Sequence, residues 1–157
     1  MPLEPGSAAP DFTLETANGP IRLGDFAGRR LLLYFYPKDD TSGCTREAID
    51  FTALLDDFER GGVTVVGVSR DSLAKHDRFA ARHGLRHLLA SDPDAVAIDA
   101  YGSWVEKTLY GRKYMGIDRS TFLIGADGRI EALWRKVRVP GHAEAVLKAV
   151  GAPAASR

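Results

Sequence analysis

A single cysteine, Cys44, is the side chain with the clearest capacity for chemistry in this chain of 157 residues. It follows a turn-rich segment after the apolar run 31–36, and a helical pattern begins at Gly43 or Cys44. A thiol in the first turn of a helix faces unpaired backbone N–H groups and the positive end of the helix dipole. Both favour the thiolate, which is the reactive form. We therefore expect Cys44 to be a nucleophile.

The composition is that of an ordinary globular domain and argues against several other classes. Hydrophobic residues make up 45% and charged residues 27%, and 21 basic side chains balance 21 acidic ones. A net charge near zero does not attract nucleic acid or a membrane surface. Residues 1–10 lack the apolar segment of a signal peptide, and no apolar run approaches the roughly 18 residues of a membrane span. We expect one cytoplasmic domain over residues 1–157, without a metal or organic cofactor.

Short apolar runs predict the strands that must position the cysteine, and two dipeptides predict the hairpin turns. Asn18-Gly19 and Asp127-Gly128 are typical of such turns. The predicted strands span residues 11–14, 21–23, 31–36, 63–68, 88–90, 121–124 and 130–134.

Apolar residues three and four positions apart predict the helices. Strands that alternate with helices imply parallel crossovers, and the late hairpin adds antiparallel strands. The sequence therefore predicts an α/β fold with a central mixed β-sheet, helices on both faces and an N-terminal β-hairpin, while residues 101–118 stay unassigned. The predicted helices run from about Cys44 to Phe58, from Asp71 or Ser72 to Gly84, from Asp92 through Ala100, and over residues 143–150 before a frayed tail, 151–157.

Two sequence blocks carry a resemblance to a known family. Pro37, Thr41 and Cys44 fit P-x-x-x-T-x-x-C, which resembles the active-site motif of the peroxiredoxins, and the longer string YPKDDTSGCTRE is similar to the bacterioferritin comigratory protein or PrxQ subgroup. The block DRSTFL, residues 118–123, resembles the strand with the family's active-site arginine, here Arg119. The likeness spans residues 9–137. It implies a thioredoxin-like fold and thiol-dependent reduction of hydrogen peroxide and organic hydroperoxides.

The chain departs from this subgroup because it has no second cysteine. Many relatives carry a resolving cysteine five residues after the reactive one, where this chain has Ile49, and others carry it where the match is Ala80. A disulfide within the chain is excluded, whether the loss is natural or engineered. The resemblance then implies a one-cysteine cycle that needs an external thiol, such as thioredoxin, glutaredoxin or glutathione, in a protein that we expect to be a monomer.

The reaction itself indicates which residues should assist Cys44. A helix terminus stabilises a nearby charge by at most about 2 kcal/mol, which is too little to keep the thiol of Cys44 ionised near neutral pH. A nearby cation is therefore also needed, and Arg119 is the candidate. A larger thiolate fraction alone gains little rate, because a stabilised thiolate is a weaker nucleophile. Acceleration must come from groups that bind the stretched O–O bond. We assign this work to Arg119, the Thr41 hydroxyl and the N–H groups near Gly43 and Cys44.

Each assisting residue also has a plainer interpretation. Pro37 should shape the loop and shield the thiolate, although it can simply end a strand. Thr41 can be only a helix N-cap, and Arg119 can be only a structural arginine. Tyr36 either lines the substrate pocket or merely packs. Glu47 fits a helix carboxylate, or it orients Arg119.

Two other classes of function stay open at this point. A cysteine hydrolase would use Cys44 as the nucleophile and His142 as the base, but it leaves the rest of the motif unexplained. A peroxide sensor or thioredoxin-like binding module would be oxidised once without efficient turnover. A metal site at His83 and His87 is disfavoured, because Gly84 ends the helix between them.

Overall fold

The apolar run before the cysteine becomes strand β3, which has neighbours on both sides in a seven-stranded sheet. The computed structural model of the chain describes residues 2–155, with side chains as far as Gly151. The strands are β1 Thr13–Thr16, β2 Gly19–Arg22, β3 Arg30–Phe35, β4 Val63–Ser69, β5 Leu88–Ser91, β6 Trp104–Leu109, β7 Arg112–Ile117, β8 Ser120–Ile124 and β9 Ile130–Trp134. The helices are α1 Ser42–Ala53, α2 Leu55–Arg60, α3 Leu73–His83, α4 Val96–Ala100 and α5 His142–Ala155, with a 3-10 helix at Leu23–Phe26.

The sheet is mixed, as the sequence predicts. Its strand order is β2-β1-β5-β4-β3-β8-β9. Strands β3, β4 and β5 pair in parallel through helical crossovers, whereas β1, β2, β8 and β9 join by antiparallel pairing. Residues 37–41 form the loop that leads to Cys44, the cysteine loop. This loop leaves the sheet at the carboxyl end of β3, beside the carboxyl ends of β4 and β5.

Alternate side chains of β3 divide the core into two layers, because successive residues of a strand point to opposite faces. Leu33 packs in one layer with Ile98 of α4, and Tyr34 packs in the other with Phe51 of α1 and Val146 of α5. Complete burial of one such apolar side chain stabilises the fold by about 1.5–3 kcal/mol. Both layers therefore hold β3, and with it the start of the cysteine loop, in place.

The predicted helix from Cys44 to Phe58 is wrong in one respect, because the structure divides it at Leu54 into α1 and α2. The N–H of Leu54 bonds to the carbonyl of Phe51, three residues back, and the carbonyl of Thr52 accepts a hydrogen bond from Arg86 Nη2 at 3.2 Å. These contacts interrupt the regular helical ladder. The apolar residues on both sides still face one core layer, which is why their spacing resembles a single helix.

The unassigned stretch 101–118 contains a hairpin that the sequence pattern does not reveal. Strands β6 and β7 pair antiparallel and form a sheet of their own. Their two-residue turn, Tyr110-Gly111, has φ of 51° and 76°, and two positive values are the signature of the type I′ turn. Because the strand residues are mostly exposed, they lack the apolar alternation that would have revealed them.

The ends of several other elements also differ from the prediction. The turn of the first hairpin consists of Ala17 and Asn18, one residue earlier than the predicted Asn18-Gly19, because Thr16 pairs with Gly19. The hydroxyl of Thr16 donates a hydrogen bond of 2.6 Å to the carbonyl of Gly19 and so fixes the turn. The predicted tail 151–157 is helical as far as Ala155. Residues 156–157 lie outside the described residues.

The third helix confirms its predicted start and end. The hydroxyl of Ser72 accepts a hydrogen bond from the N–H of Lys75, and Gly84 adopts the left-handed conformation with φ of 64°. Asp92 instead lies four residues before α4, yet its carboxylate accepts from the N–H groups of Val96 and Ile98. Among the described residues, no helix combines the length and hydropathy needed to cross a membrane.

Candidate active site

The sulfur of Cys44 lies at the first turn of α1. Thr41 is the N-cap residue with an extended backbone, and no side chain caps the helix. The first intrahelical hydrogen bond runs from the N–H of Thr45 to the carbonyl of Thr41, at 2.8 Å. The N–H groups of Ser42, Gly43 and Cys44 precede it and have no carbonyl partner within the helix. Such N–H groups, together with the helix dipole, attract an anion.

Arg119 brings a cation to this turn from the start of β8, the strand beside β3. It lies between β7 and β8, and its Nη2 donates to Cys44 Sγ at 3.4 Å while its Nη1 donates to Glu47 Oε1 at 2.7 Å. Gly43 makes the approach possible, because a Cβ there would lie 3.1 Å from Nη2. One guanidinium thus joins the thiol to a buried carboxylate.

Glu47 is 1% exposed and is the carboxylate that orients Arg119, which was one of its two interpretations. Its Oε2 has no hydrogen-bond partner among the described residues. Burial raises the pKa of Glu47 from 4.5 to about 7, although the charge and hydrogen bond of Arg119 act in the opposite direction. Burial therefore offsets part of the stabilisation that Arg119 gives to the carboxylate.

Two predicted residues lie on the loop before α1, and both are exposed. Pro37 follows Tyr36 directly after β3. The hydroxyl of Thr41 donates to the carbonyl of Lys38 at 2.8 Å, so it does not cap the helix. With its proton committed to that carbonyl, the Thr41 oxygen keeps its lone pairs for an incoming donor.

Tyr36 is placed differently from the predicted substrate-binding role. Its side chain is 1% exposed, and its hydroxyl donates to Asp39 Oδ1 at 2.5 Å. The ring lies within the layer that contains Tyr34 and Phe79. The structure favours the packing alternative, because a buried ring with an occupied hydroxyl offers no surface to a substrate.

His142 has its own partners and does not serve Cys44. Its Nε2 forms a hydrogen bond of 2.8 Å with the Thr121 hydroxyl, and its ring packs edge-on against Phe51 and Trp134. Burial lowers the pKa of His142 to about 4, and the charge of Arg119 adds to this effect. The only described hydrogen bond to the sulfur of Cys44 comes from Arg119, so the arrangement of a cysteine hydrolase is not present.

The two histidines weighed as metal ligands also have separate partners. His83 contacts Asp40 at 2.9 Å, whereas His87 lies in the core between the hydroxyls of Tyr34 and Thr52. Within residues 2–155, no three ligating side chains come together in a way that could hold a metal ion.

An open cavity of about 630 Å³ lies beside the cysteine loop. Pro37 and Lys38 form its wall on the loop side. The hairpin β6–β7 forms the opposite wall with Trp104, Tyr114 and Met115. This segment includes the stretch that the sequence left unassigned, and it presents an apolar surface next to the motif.

Sequence reasoning missed the residues that anchor the loop. Asp39 is 2% exposed although its neighbours Lys38 and Asp40 are exposed, and it binds His76 of α3 through a 2.6 Å contact. The sequence contains no local signal for this pair, since the two residues are 37 positions apart and acidic loop residues are usually solvated.

The chain matches known proteins over nearly its whole length. Residues 5–133 match the AhpC/TSA family. The chain is 46% identical over 153 residues to peroxiredoxin Bcp of Xanthomonas campestris, covering 97% of this chain and 96% of the relative. It is 41% identical over 147 residues to peroxiredoxin Bcp of Escherichia coli, covering 93% and 94%.

Solved structures match equally well. Peroxiredoxin Q of X. campestris superposes with a TM-score of 0.89 at 46% identity, covering 97% of both chains. A PrxQ mutant of Xylella fastidiosa superposes with a TM-score of 0.92 at 42% identity, covering 98% of this chain and 99% of the other.

Proposed function

This chain belongs to the AhpC/TSA family, with Bcp and PrxQ peroxiredoxins as its relatives, and on that premise we propose that Cys44 and Arg119 form its reacting centre. It has a thioredoxin-like fold and is a thiol-dependent peroxidase. The observation that carries the assignment is the pair of hydrogen bonds from Arg119, one to Cys44 Sγ and one to Glu47.

The proposed reaction begins with attack of the Cys44 thiolate on the terminal oxygen of a hydroperoxide. The S–O bond forms as the O–O bond breaks, and the departing oxygen takes a proton to leave as water or an alcohol. Cys44 becomes a sulfenic acid. One external thiol condenses with it, releasing water, and a second thiol frees Cys44 and leaves as a disulfide.

The geometry supplies donors where negative charge develops. Arg119 Nη2 already points at the sulfur, and the N–H groups of Gly43 and Cys44 belong to the same helix turn. These groups are fixed before the peroxide arrives, so they stabilise the transition state without reorganisation. The Thr41 oxygen is oriented to accept the peroxide O–H, and Pro37 forms the outer edge of the site.

We propose that organic hydroperoxides are substrates beside hydrogen peroxide. The cavity between Pro37 and the β6–β7 hairpin can hold an apolar group next to the cysteine loop. A Xanthomonas campestris relative, 45% identical over 97% of this chain, is described for its alkyl peroxide reduction activity. That similarity supports the same substrate class here.

The single cysteine determines what the cycle needs from other molecules. Ile49 and Ala80 occupy the positions that match the resolving cysteines of similar proteins, so the sulfenic acid must be reduced by an external thiol. We propose thioredoxin, glutaredoxin or glutathione, acting on a monomer in the cytoplasm, where thiols stay reduced. Peroxide consumption with each reductant in turn distinguishes the three, and sedimentation of the reduced protein tests the monomer.

A multiple-turnover assay tests this function against the sensor alternative. Reduced protein is mixed with hydrogen peroxide or an alkyl hydroperoxide and with each reductant in turn, and peroxide consumption is followed. We expect many turnovers with at least one reductant, none for Cys44→Ser, and unchanged turnover for the exposed control Arg138→Ala. Rapid oxidation of one equivalent without turnover by any of the three reductants would establish a sensor instead.

A further inference from the structure

A buried histidine ties down the loop that leads to Cys44. His76 of α3 is 2% exposed, and its Nδ1 lies 2.6 Å from Asp39 Oδ2 while its Nε2 lies 2.9 Å from the carbonyl oxygen of Ala90 in β5. The other oxygen of Asp39 accepts from the hydroxyl of Tyr36. The loop is thereby joined to α3, to β5 and to the end of β3 through one carboxylate.

Both ring nitrogens of His76 face atoms that only accept hydrogen bonds. A carboxylate and a backbone carbonyl cannot donate, and a neutral imidazole has one N–H, so only the imidazolium satisfies both contacts. Burial acts to lower the pKa of His76, but the hydrogen bond and charge of Asp39, the Ala90 carbonyl and the charge of Asp71 outweigh it and raise the pKa. The ring is therefore a buried cation.

The groups around this cation come from α3 itself and from four other parts of the fold. Asp39 faces it from the loop and Tyr36 from the end of β3, while β5 contributes only a carbonyl. Asp71 follows β4 and accepts from the N–H of Asp39 at 2.8 Å, and Lys75 of α3 pairs with Asp71 at 3.1 Å. The net environment of His76 is anionic, which suits a positive ring.

The next loop residue is also held by α3. Asp40 has φ of 63°, a left-handed conformation that aspartate tolerates better than most residues with a side chain. Its carboxylate contacts His83 at 2.9 Å and Arg82 at 3.2 Å, both on α3. Helix α3 thus binds two successive loop residues, Asp39 and Asp40. Of these contacts, the one between Asp39 and His76 is buried.

The proposed cycle makes two opposite demands on this loop. Peroxide attack needs Cys44 next to fixed donors, and in the structure Cys44 is buried. Reduction needs the sulfenic acid to meet an external thiol, which a buried sulfur cannot do. The loop that starts α1 must therefore open during each cycle.

We propose that His76 is a positioning residue of this peroxidase, which as a buried cation bound to Asp39 holds loop 37–41 closed over Cys44 and sets how readily the external thiol gains access. The proposal rests on the peroxidase function proposed above and assigns the control of access to a residue outside the reacting centre. Because the pKa of His76 is raised on folding, its contribution to the closed loop is complete at low pH and is lost as the pH rises through that raised value.

The protonation state is tested first on the wild-type protein with ¹⁵N-labelled histidine. We expect nitrogen resonances of His76 that report two N–H groups at pH 7, changing to one only at higher pH. A neutral His76 ring at pH 7 would overturn the proposal. This readout needs no peroxidase activity, so it stands even if the proposed function fails.

Access to Cys44 is then measured in His76→Gln, with the exposed neighbour Asp77→Asn as the matched control on the same helix. We expect peroxide oxidation of Cys44 to slow roughly 10- to 100-fold through misplacement, while alkylation by a bulky maleimide accelerates. Asp77→Asn should change neither rate, and the wild type should shift towards His76→Gln as the pH rises through the raised pKa of His76.

The opposite movement of the two rates is the signature of an opened loop. A merely structural histidine would lower the melting temperature and leave the ratio of the two rates unchanged, which would overturn the proposal. Asp39→Asn removes the anion from the other side of the pair and should change the ratio in the same direction. Unchanged rates in both variants would likewise contradict the role of His76.

Discussion

At the scale of single residues, the site depends on how one guanidinium is shared. Arg119 donates to Cys44 and to Glu47 through different nitrogens, so the buried carboxylate fixes the angle at which the cation meets the sulfur. Hydrogen bonds between charged groups are stronger than neutral ones and more demanding in geometry. Small displacements of Arg119 should therefore slow peroxide reduction without a comparable loss in the free energy of unfolding.

Gly43→Ala tests this dependence directly. The added Cβ would lie 3.1 Å from Arg119 Nη2, and the flexible guanidinium must move away from the sulfur by a few tenths of an ångström. Alanine in a helix is favoured over glycine by about 0.5–1 kcal/mol. We expect unfolding in urea to show equal or greater stability, while stopped-flow oxidation by peroxide slows roughly tenfold. A variant as fast as the wild type would show that this close approach is unimportant.

Glu47→Gln tests the buried carboxyl through stability. The pKa of Glu47 rises from 4.5 to about 7 on folding, so the folded state binds more protons between these values, and its stability falls as the pH rises through that window. Glutamine has no such titration. Relative to this variant, the wild type should lose up to about 3 kcal/mol between pH 4.5 and pH 8, measured by urea unfolding. A difference that does not vary with pH would contradict the shifted pKa.

The sequence could indicate the candidate site residues better than the residues that anchor their loop. Cys44, Thr41 and Arg119 lie in recognisable blocks, whereas Asp39 and His76 are joined only by the fold. For Tyr36 the sequence left two alternatives open, because proximity to the motif along the chain does not tell which way a ring faces. Its partner Asp39 shows that the inward side was the correct one.

At the scale of elements, the sheet could be predicted and the hairpin β6–β7 could not. Strands buried on both faces, such as β3 and β4, appear as continuous apolar runs. The exposed strands β6 and β7 have no such run, and their existence depends on one left-handed turn at Tyr110-Gly111. The break at Leu54 was hidden for the opposite reason, since helices α1 and α2 bury their apolar residues in the same layer.

Ile49→Cys tests whether α1 can unwind at its start. Five residues along a helix correspond to a rise of about 7.5 Å, beyond the roughly 4.4–6.8 Å between Cα atoms that a disulfide tolerates. Since Ile49 is 39% exposed, the substitution should fold. After one equivalent of peroxide we expect a disulfide, seen as a mass loss of about 2 Da, together with reduced helical circular dichroism.

Ile49→Ser is the matched control, because it changes the same exposed position without adding a thiol. It should take up one oxygen and keep its helical signal. A disulfide in Ile49→Cys that leaves the helical signal unchanged would show that α1 need not unwind.

At the scale of the whole molecule, buried histidines should make the fold sensitive to acid. Burial lowers the pKa of His87 and of His142 to about 4. The stability that each contributes is complete above 6.5 and is lost as the pH falls towards 4, by up to about 3 kcal/mol each. In urea unfolding between pH 7 and pH 4.5, His142→Gln should lose less stability than the wild type.

Lys148→Gln, an exposed change on the same helix α5, serves as the control and should keep the wild-type dependence on pH. If His142→Gln follows the wild-type curve as well, then His142 does not resist protonation in the folded protein.

The most direct test of the central claim is the second-order rate constant for oxidation of reduced Cys44 by hydrogen peroxide and by an alkyl hydroperoxide, measured by stopped flow with intact mass taken afterwards. We expect a rate at least about 10³-fold above that of a free thiol, one added oxygen, and a loss of roughly 10²- to 10³-fold in Arg119→Ala. Excess peroxide should add a second oxygen, since the chain has no second cysteine to trap the sulfenic acid. A rate within about tenfold of a free thiol, or an Arg119→Ala variant as fast as the wild type, would contradict the account.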